Sequence, residues 1–256
     1  MSIKLKTLNE IEIMREGGKR HAEILNTLKG MIEPGISTLI LEEEALCLIK
    51  QKGDKAAFLG YTPAGANRPY PASLCVSINN EIVHGIPNEA ARILNDGDVV
   101  ALDLGLIHGG LITDSAITVG VGTIDDEARG LLSVTKKALE AGIASALPGN
   151  TVGDIGAAIS KVVSNSSFSL AEDLAGHGVG YAVHEDPFVP NFGQVGKGDK
   201  LVPGMVIAIE PMVNTGKGKI KMSKDGYTIL TRDGSRSAHF EHTIAITSDG
   251  NIILTA

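Results

Sequence analysis

Gly97-Asp98-Val99-Val100-Ala101-Leu102-Asp103 and Gly204-Met205-Val206-Ile207-Ala208-Ile209-Glu210 are two versions of one pattern: a glycine turn, an apolar strand and an acid at its end. Two further echoes flank them in the same order. Asp114-Ser115-Ala116-Ile117-Thr118 parallels Glu241-His242-Thr243-Ile244-Ala245, and Pro34-Gly35-Ile36-Ser37 parallels Pro148-Gly149-Asn150-Thr151, each ahead of a helical pattern. One such echo would be chance. Three in order, with an acid matched to an acid twice, predict an internal duplication. The expected halves are about 1–123 and 124–256, within one domain spanning 1–256.

The remaining punctuation supports this. Thr7 and Glu10 form a capping box ahead of Ile11, Met14, Leu25, Leu28 and Ile32 at helical spacing. Thr38 to Lys52 reads as a second helix stopped by Gly53. Strands are predicted at 74–78 and 81–83 around Asn79-Asn80, then near 98–104 and 111–120. The second half repeats the order: helices at about 125–147 and 152–164, then strands near 205–213, 227–231, 242–247 and 251–255. Two helices followed by strands, twice, predict an α+β fold with a mainly antiparallel sheet and helices on one face. With no linker between them, the halves should share one sheet and one core.

A chain of 256 residues, 43% hydrophobic, can bury a sizeable core. Its net charge of −7 gives nucleic-acid binding little electrostatic support. Cys47 and Cys75 cannot build a disulfide framework and fit a reducing compartment. The opening MSIKLKTLNE carries no apolar signal core, and the longest apolar run is interrupted by Asp103 and His108. A cytoplasmic protein is expected.

The acids carry the chemistry. A lone aspartate at a strand end is ordinarily a turn former or cap, a sufficient reading for Asp103 or Asp114 taken singly. It fails for Glu210, which follows an apolar run and precedes a proline, since a buried glutamate needs a partner. A pseudo-two-fold axis would bring Asp103 against Glu210 and Asp114 against Glu241, with His177 added from the second half. Four converging carboxylates repel unless cations compensate them, and two divalent ions would balance four charges. Oxygens with one imidazole suit hard-to-borderline metals. Two such ions acidify a shared water to a pKa of about 7. That water would attack a carbonyl, with Glu210 as the acceptor of its proton.

His177 and His184 lie in AGHGVGYAVHEDP, where flanking glycines allow close backbone approach. His84, in IVHGIP, is a weak signal alone. His21, His108, His239 and His242 read as structural or surface residues.

SINNEIVHGIP, DLG…GGLITDSA, GHGVG…HEDP, IAIEPM and EHTIAIT, in this order and over nearly the whole chain, resemble the type I, bacterial-like methionine aminopeptidases. The resemblance implies the pita-bread fold of the creatinase/aminopeptidase group, which agrees with the duplication. It implies a catalytic domain that removes N-terminal methionine from new proteins when the next residue is small. This chain's own Met1-Ser2 would qualify as a substrate. It also implies two divalent ions per chain (Co, Mn, Fe, Zn or Ni) held by Asp103, Asp114, His177, Glu210 and Glu241, with Asp114 and Glu241 bridging. By the same resemblance His84 stands near the substrate's amino end, and His184 hydrogen-bonds the scissile peptide and stabilises the tetrahedral intermediate. The methionine pocket maps onto Phe58, Tyr61, Tyr70, Cys75, Val183 and Tyr227.

Several positions depart from the common bacterial pattern. Phe58 replaces a frequent cysteine, Tyr227 a frequent tryptophan, Val183 a frequent phenylalanine, and Gly105 a common threonine. The stretch Thr62 to Pro69 is longer than usual. The metal set is intact.

Two alternatives share the fold. Xaa-Pro peptidases usually carry an extra N-terminal domain, for which this chain has no room. A non-catalytic binding protein would be expected to lose ligands, and all five are present. Type II methionine aminopeptidases carry a helical insertion for which the interval from His177 to Glu210 is too short. Expected partners are N-terminal methionyl peptides and nascent chains, with ribosome association where those chains emerge. Neither nucleic acid nor membrane is expected as a partner, and the chain is expected to be a monomer.

Overall fold

The computed structural model describes residues 3–63 and 65–256. Ala64, within the long 62–69 stretch, and Met1-Ser2, read above as a processing site, lie outside the described residues. The first half contains α1 (Leu8–Gly30), α2 (Thr38–Gln51), β1 (Lys55–Ala56), β2 (Leu74–Ile78), β3 (Glu81–Val83), β4 (Val99–His108) and β5 (Leu111–Gly120). The second contains α3 (Asp126–Ser145), α4 (Val152–Ser164), β6 (Ser169–Leu170), β7 (Ala175–Gly178), β8 (Glu185–Pro190), β9 (Val206–Ile209) and β10 (Met212–Asn214). It continues with β11 (Ile220–Met222), β12 (Ile229–Thr231), β13 (Ser237–His239), β14 (Glu241–Ile246) and β15 (Asn251–Ile253).

The capping box forms as expected: Glu10 N donates to Thr7 Oγ1, and Thr7 N donates to the Glu10 carboxylate at 2.8 Å. Such a cap contributes about 1 kcal/mol. Gly53, at φ +74, takes up the left-handed turn just past α2.

Strands of both halves join in a nine-stranded sheet with the order β1-β4-β5-β14-β9-β7-β8, to which β2 adds against β4 and β15 against β14. The order is near-palindromic about the β5–β14 boundary: β4 and β5 of the first half answer β9 and β14 of the second. This is the pita-bread fold, mixed helix and antiparallel sheet.

Register parity explains why the acids share one face. Cys75 pairs with Asp103, Asp103 with Ala116, and Ala116 with Glu241, so all four share a face. Asp114 lies two residues from Ala116 and joins them. Thr243 pairs with Ala208, and Ala208 with His177. Thr243 is two residues from Glu241 and Ala208 two from Glu210, so His177 and Glu210 fall on that same face. The alternate residues point the other way. Leu74, Val76, Val100, Leu102 and Leu104 pack with Ile24, Leu28, Leu41 and Ile49 of α1 and α2. Ile207, Ile209, Ile244 and Ile246 pack with Leu139, Ile143, Ile155 and Ile159 of α3 and α4. Each fully buried Leu or Ile contributes roughly 1.5–3 kcal/mol.

Four details differ from the sequence reading. The sheet is shared, but the buried apolar residues form separate clusters: one under each helix pair, one on the acid-bearing face that includes Phe58, Tyr70, Val206 and Ala245, and a small one around Ile82 and Met212. The strand at 98–104 runs on to His108, since its partner β5 extends equally far. The strand at 205–213 is broken at Glu210-Pro211. β9 pairs in the large sheet, whereas β10 joins a three-stranded sheet with β13 and β6. Strands β1, β6, β7, β8, β11 and β13 have no counterpart in the reading: they are short, glycine-rich or polar, with little strand pattern of their own. Among the described residues no helix is long and apolar enough to cross a membrane.

Candidate active site

The five candidate ligands come from five places: β4 (Asp103), β5 (Asp114), β7 (His177), the residue after β9 (Glu210) and the first residue of β14 (Glu241). Asp114, His177 and Glu241 offer ligand atoms that all lie within 4.8 Å of one another. His177 Nε2 is 3.9 Å from Asp114 Oδ2 and 3.4 Å from Glu210 Oε1. Thr243 fixes β5 to β14 at this point. Its Oγ1 accepts from Asp114 N at 2.8 Å and donates to Asp114 O at 2.7 Å. His177 Nδ1 lies 2.9 Å from Gly178 O, an arrangement in which Nδ1 carries the proton and Nε2 keeps a lone pair for the site.

These acids are buried at high cost. Asp103, Asp114 and Glu241 are 7%, 3% and 2% exposed. Burial pushes the Asp103 carboxyl up to about 7. Burial, then the neighbouring carboxylates, hold Asp114 and Glu241 well above the usual carboxylate range. Glu210 goes the other way: burial pushes it up, but the imidazoles of His239, His177 and His184 outweigh that and hold it below its usual value. Asp103 Oδ1, Asp114 Oδ1 and Glu241 Oε1 are buried without a hydrogen-bond partner among the described residues. Orphaned carboxylate oxygens facing one another beside an imidazole are what a divalent cation would satisfy, so the residues present fit a metal.

One cavity is lined by all five of these residues, by His84 and His184, and by all six residues assigned to the methionine pocket. Tyr70 and Tyr227 meet edge to face, with centroids 5.1 Å apart. The Tyr61 hydroxyl lies 2.9 Å from His184 Nδ1. His184 stacks edge-on to His177 at 4.4 Å between ring centroids. Burial pushes both His84 and His184 down to about 4, so each is a neutral imidazole near pH 7. His84 sits at φ +61, uncommon for a residue other than glycine. The next residue must be glycine, because a Cβ there would lie 2.3 Å from Val76 O.

The long 62–69 stretch leaves the pocket walls in place. Its base is closed by Gly60 N to Tyr70 O at 2.9 Å and Tyr70 N to Tyr61 O at 2.8 Å, so both tyrosines stay on the cavity. Arg68 ties the stretch to Glu89 and to Asp225 O, and Tyr227 donates its hydroxyl to Arg68 O. The turn bearing Val183 and His184 is anchored by Glu185, which pairs with buried Lys6 at 2.6 Å.

The structure moves one histidine from the structural set to the site. His239 is 1% exposed, and its Nε2 is 3.4 Å from Glu210 Oε2 and 3.9 Å from Glu241 Oε2. Its place two residues before Glu241 was the one local sign of this. His21, His108 and His242 are structural as read, beside Thr113, Asp54 and Thr255.

The fold and its buried acidic cradle define a metal-dependent hydrolase, and residues 12–248 match the model of Metallopeptidase family M24. A methionine aminopeptidase of Clostridium perfringens is 45% identical over 253 residues, covering 99% of this chain and 98% of the relative. The crystal structure of methionine aminopeptidase from Thermotoga maritima superposes with a TM-score of 0.94 at 41% identity, covering 99% of each chain. The prolidase from Pyrococcus horikoshii shares the fold at a TM-score of 0.74 and 22% identity, but only 63% of it is covered. The chain belongs to metallopeptidase family M24 and, within it, to the methionine aminopeptidases.

Proposed function

We propose that this chain hydrolyses the bond after an N-terminal methionine, using divalent metal, on peptides whose second residue is small. The observation that carries the reading is the union, in one cavity, of the orphaned acidic cradle with a recess walled by Phe58, Tyr61, Tyr70, Cys75, Val183 and Tyr227. An unbranched thioether suits such a recess, since sulfur packs well against aromatic edges.

Asp103, Asp114, His177, Glu210 and Glu241 would hold two ions, of Co, Mn, Fe, Zn or Ni. When bound, such ions supply Lewis acidity, acidifying water and polarising a carbonyl oxygen. The chain's residues supply the rest. The recess orients methionine so that its carbonyl lies over the acids. His84 handles the proton at the free amine, and neutral His184 donates to the developing oxyanion. Glu210, kept ionised by its imidazole neighbours, accepts the proton of the attacking water. The groove beyond, walled by Phe188, Leu174 and Met212 and sharing His84, His177, His184 and Glu210 with the cavity, gives the rest of the peptide its exit.

We further infer a single catalytic domain over 1–256, acting as a cytoplasmic monomer on nascent chains, including those still on the ribosome. The Xaa-Pro alternative is disfavoured by the identity to methionine aminopeptidases, 45% against 22% for the prolidase, and the binding-protein alternative by the intact ligand set. The decisive test compares Met-Ala-Ser, Met-Lys and Ala-Pro peptides after metal reconstitution. Cleavage of Met-Ala-Ser alone is expected. Cleavage of the proline peptide alone would favour the prolidase alternative, and no cleavage without metal uptake the binding protein.

A further inference from the structure

We propose that His239 is a positioning residue of the metal cradle, donating from Nε2 to Glu210 Oε2 and so leaving Oε1 as the oxygen that faces the ion. The proposal rests on the metal-dependent reading above and goes beyond the five ligands.

The two oxygens of Glu210 face different imidazoles: Oε1 lies 3.4 Å from His177 Nε2, and Oε2 lies 3.4 Å from His239 Nε2. His177 comes from β7 of the large sheet and His239 from β13 of the small one, so Glu210 is held between two sheets. The ring of His239 is placed by its backbone. Thr118 Oγ1 accepts from His239 N at 2.9 Å and donates to His239 O at 2.6 Å, while Met212 pairs with His239 across β10 and β13. The residue is almost fully buried, and its ring nitrogens have no hydrogen-bond partner among the described residues. A buried imidazole N–H needs an acceptor. The carboxylate oxygens of Glu210 and, at 3.9 Å, Glu241 are the ones in reach. A carboxylate that receives an N–H on one oxygen presents the other to a cation, and ligand carboxylates are characteristically braced in this way.

The full-length chain is freed of metal and titrated with Co(II), reading Kd by calorimetry and the ligand field by the d–d absorption bands. His239→Leu removes the donor, and His239→Gln keeps an N–H in its place. Expected are a Kd roughly 10–100-fold weaker for His239→Leu, near-normal affinity for His239→Gln, and unmoved bands in His239→Gln. Unchanged affinity in His239→Leu overturns the proposal. So does equal loss in both variants with shifted bands, which would make His239 itself a ligand. Should His239→Leu not fold, ring ¹⁵N shifts of wild-type His239 decide the matter. An Nε2–H tautomer in the metal-loaded chain supports the proposal, and a metal-ligated Nε2 overturns it. Peptide cleavage is measured separately on the wild-type chain, so failure of the functional reading appears there and failure of the His239 role in the metal affinities.

Discussion

Phe58 and Gly105 occupy each other's space: a Cβ added at Gly105 would lie 2.6 Å from Cε1 of the Phe58 ring. Set against the cysteine and threonine that the resemblance leads one to expect there, we read the two positions as one paired exchange. Gly105→Thr alone should overpack the pocket wall and cost about 1–3 kcal/mol. Phe58→Cys alone leaves a void. The double variant should recover roughly 1–2 kcal/mol relative to the sum of the two. Urea denaturation of the four proteins measures this, and simple additivity would show that the two side chains do not compete.

The cradle predicts a trade between stability and activity. Without metal, Glu241 is a buried carboxylate facing Asp114 and Glu210. Glu241→Gln removes a carboxyl that, without metal, must either bury its charge or take up a proton on folding. The chelated variant should therefore be about 1–2 kcal/mol more stable than the chelated wild type, while turnover falls at least 100-fold. Thermal melts in the presence of chelator, paired with a peptide assay, report both. A less stable chelated variant would mean that repulsion among the acids is already relieved some other way.

His21 predicts part of the acid sensitivity of the fold. Burial first, with His242 adding to it and the Ser115 backbone opposing, pushes its imidazole down to about 3 from 6.5. Below pH 6.5 the unfolded chain takes up a proton that the folded chain refuses. Stability should thus fall as pH falls from 6.5 towards 3, at up to about 1.4 kcal/mol per pH unit from this group. His21→Gln should flatten the profile by that slope between pH 6 and 4.5. Denaturant midpoints across the range will reveal it, and an unaltered slope would exonerate His21.

Tyr61 predicts a split between binding and turnover. Its hydroxyl meets His184 Nδ1 at 2.9 Å, which favours the tautomer with the proton on Nε2. Tyr61→Phe keeps the pocket wall and loses that bond. We expect kcat to drop roughly 10-fold with KM nearly constant. A rise in KM with kcat intact would reduce Tyr61 to a pocket wall.

How much of this was legible follows from what kind of signal each residue carries. Asp103, Asp114, Glu210 and Glu241 stood out because a charge within an apolar run is locally anomalous, and the duplication then paired them. The break after Glu210 was illegible because IAIEPMVN is apolar on both sides of the proline, and only sheet partners separate β9 from β10. The strands around His177 lie in glycine-rich sequence with little intrinsic strand preference. Beyond its place two residues before Glu241, nothing local marks His239, and although Phe58 and Gly105 each stood out singly, their contact joins neighbours distant in the chain.

The position of β14 has a consequence for the order of synthesis. This strand comes after β4, β5, β7 and β9 in sequence, yet it lies between β5 of the first half and β9 of the second. A growing chain can already carry Asp103, Asp114, His177 and Glu210 while the strand that unites their two sets of supports is still missing. The cradle is thus completed only once β14 has followed β4, β5, β7 and β9, through contacts of long sequence separation that close late in folding. On this architecture a growing copy of the chain holds an incomplete cradle, lacking Glu241, until β14 has been made.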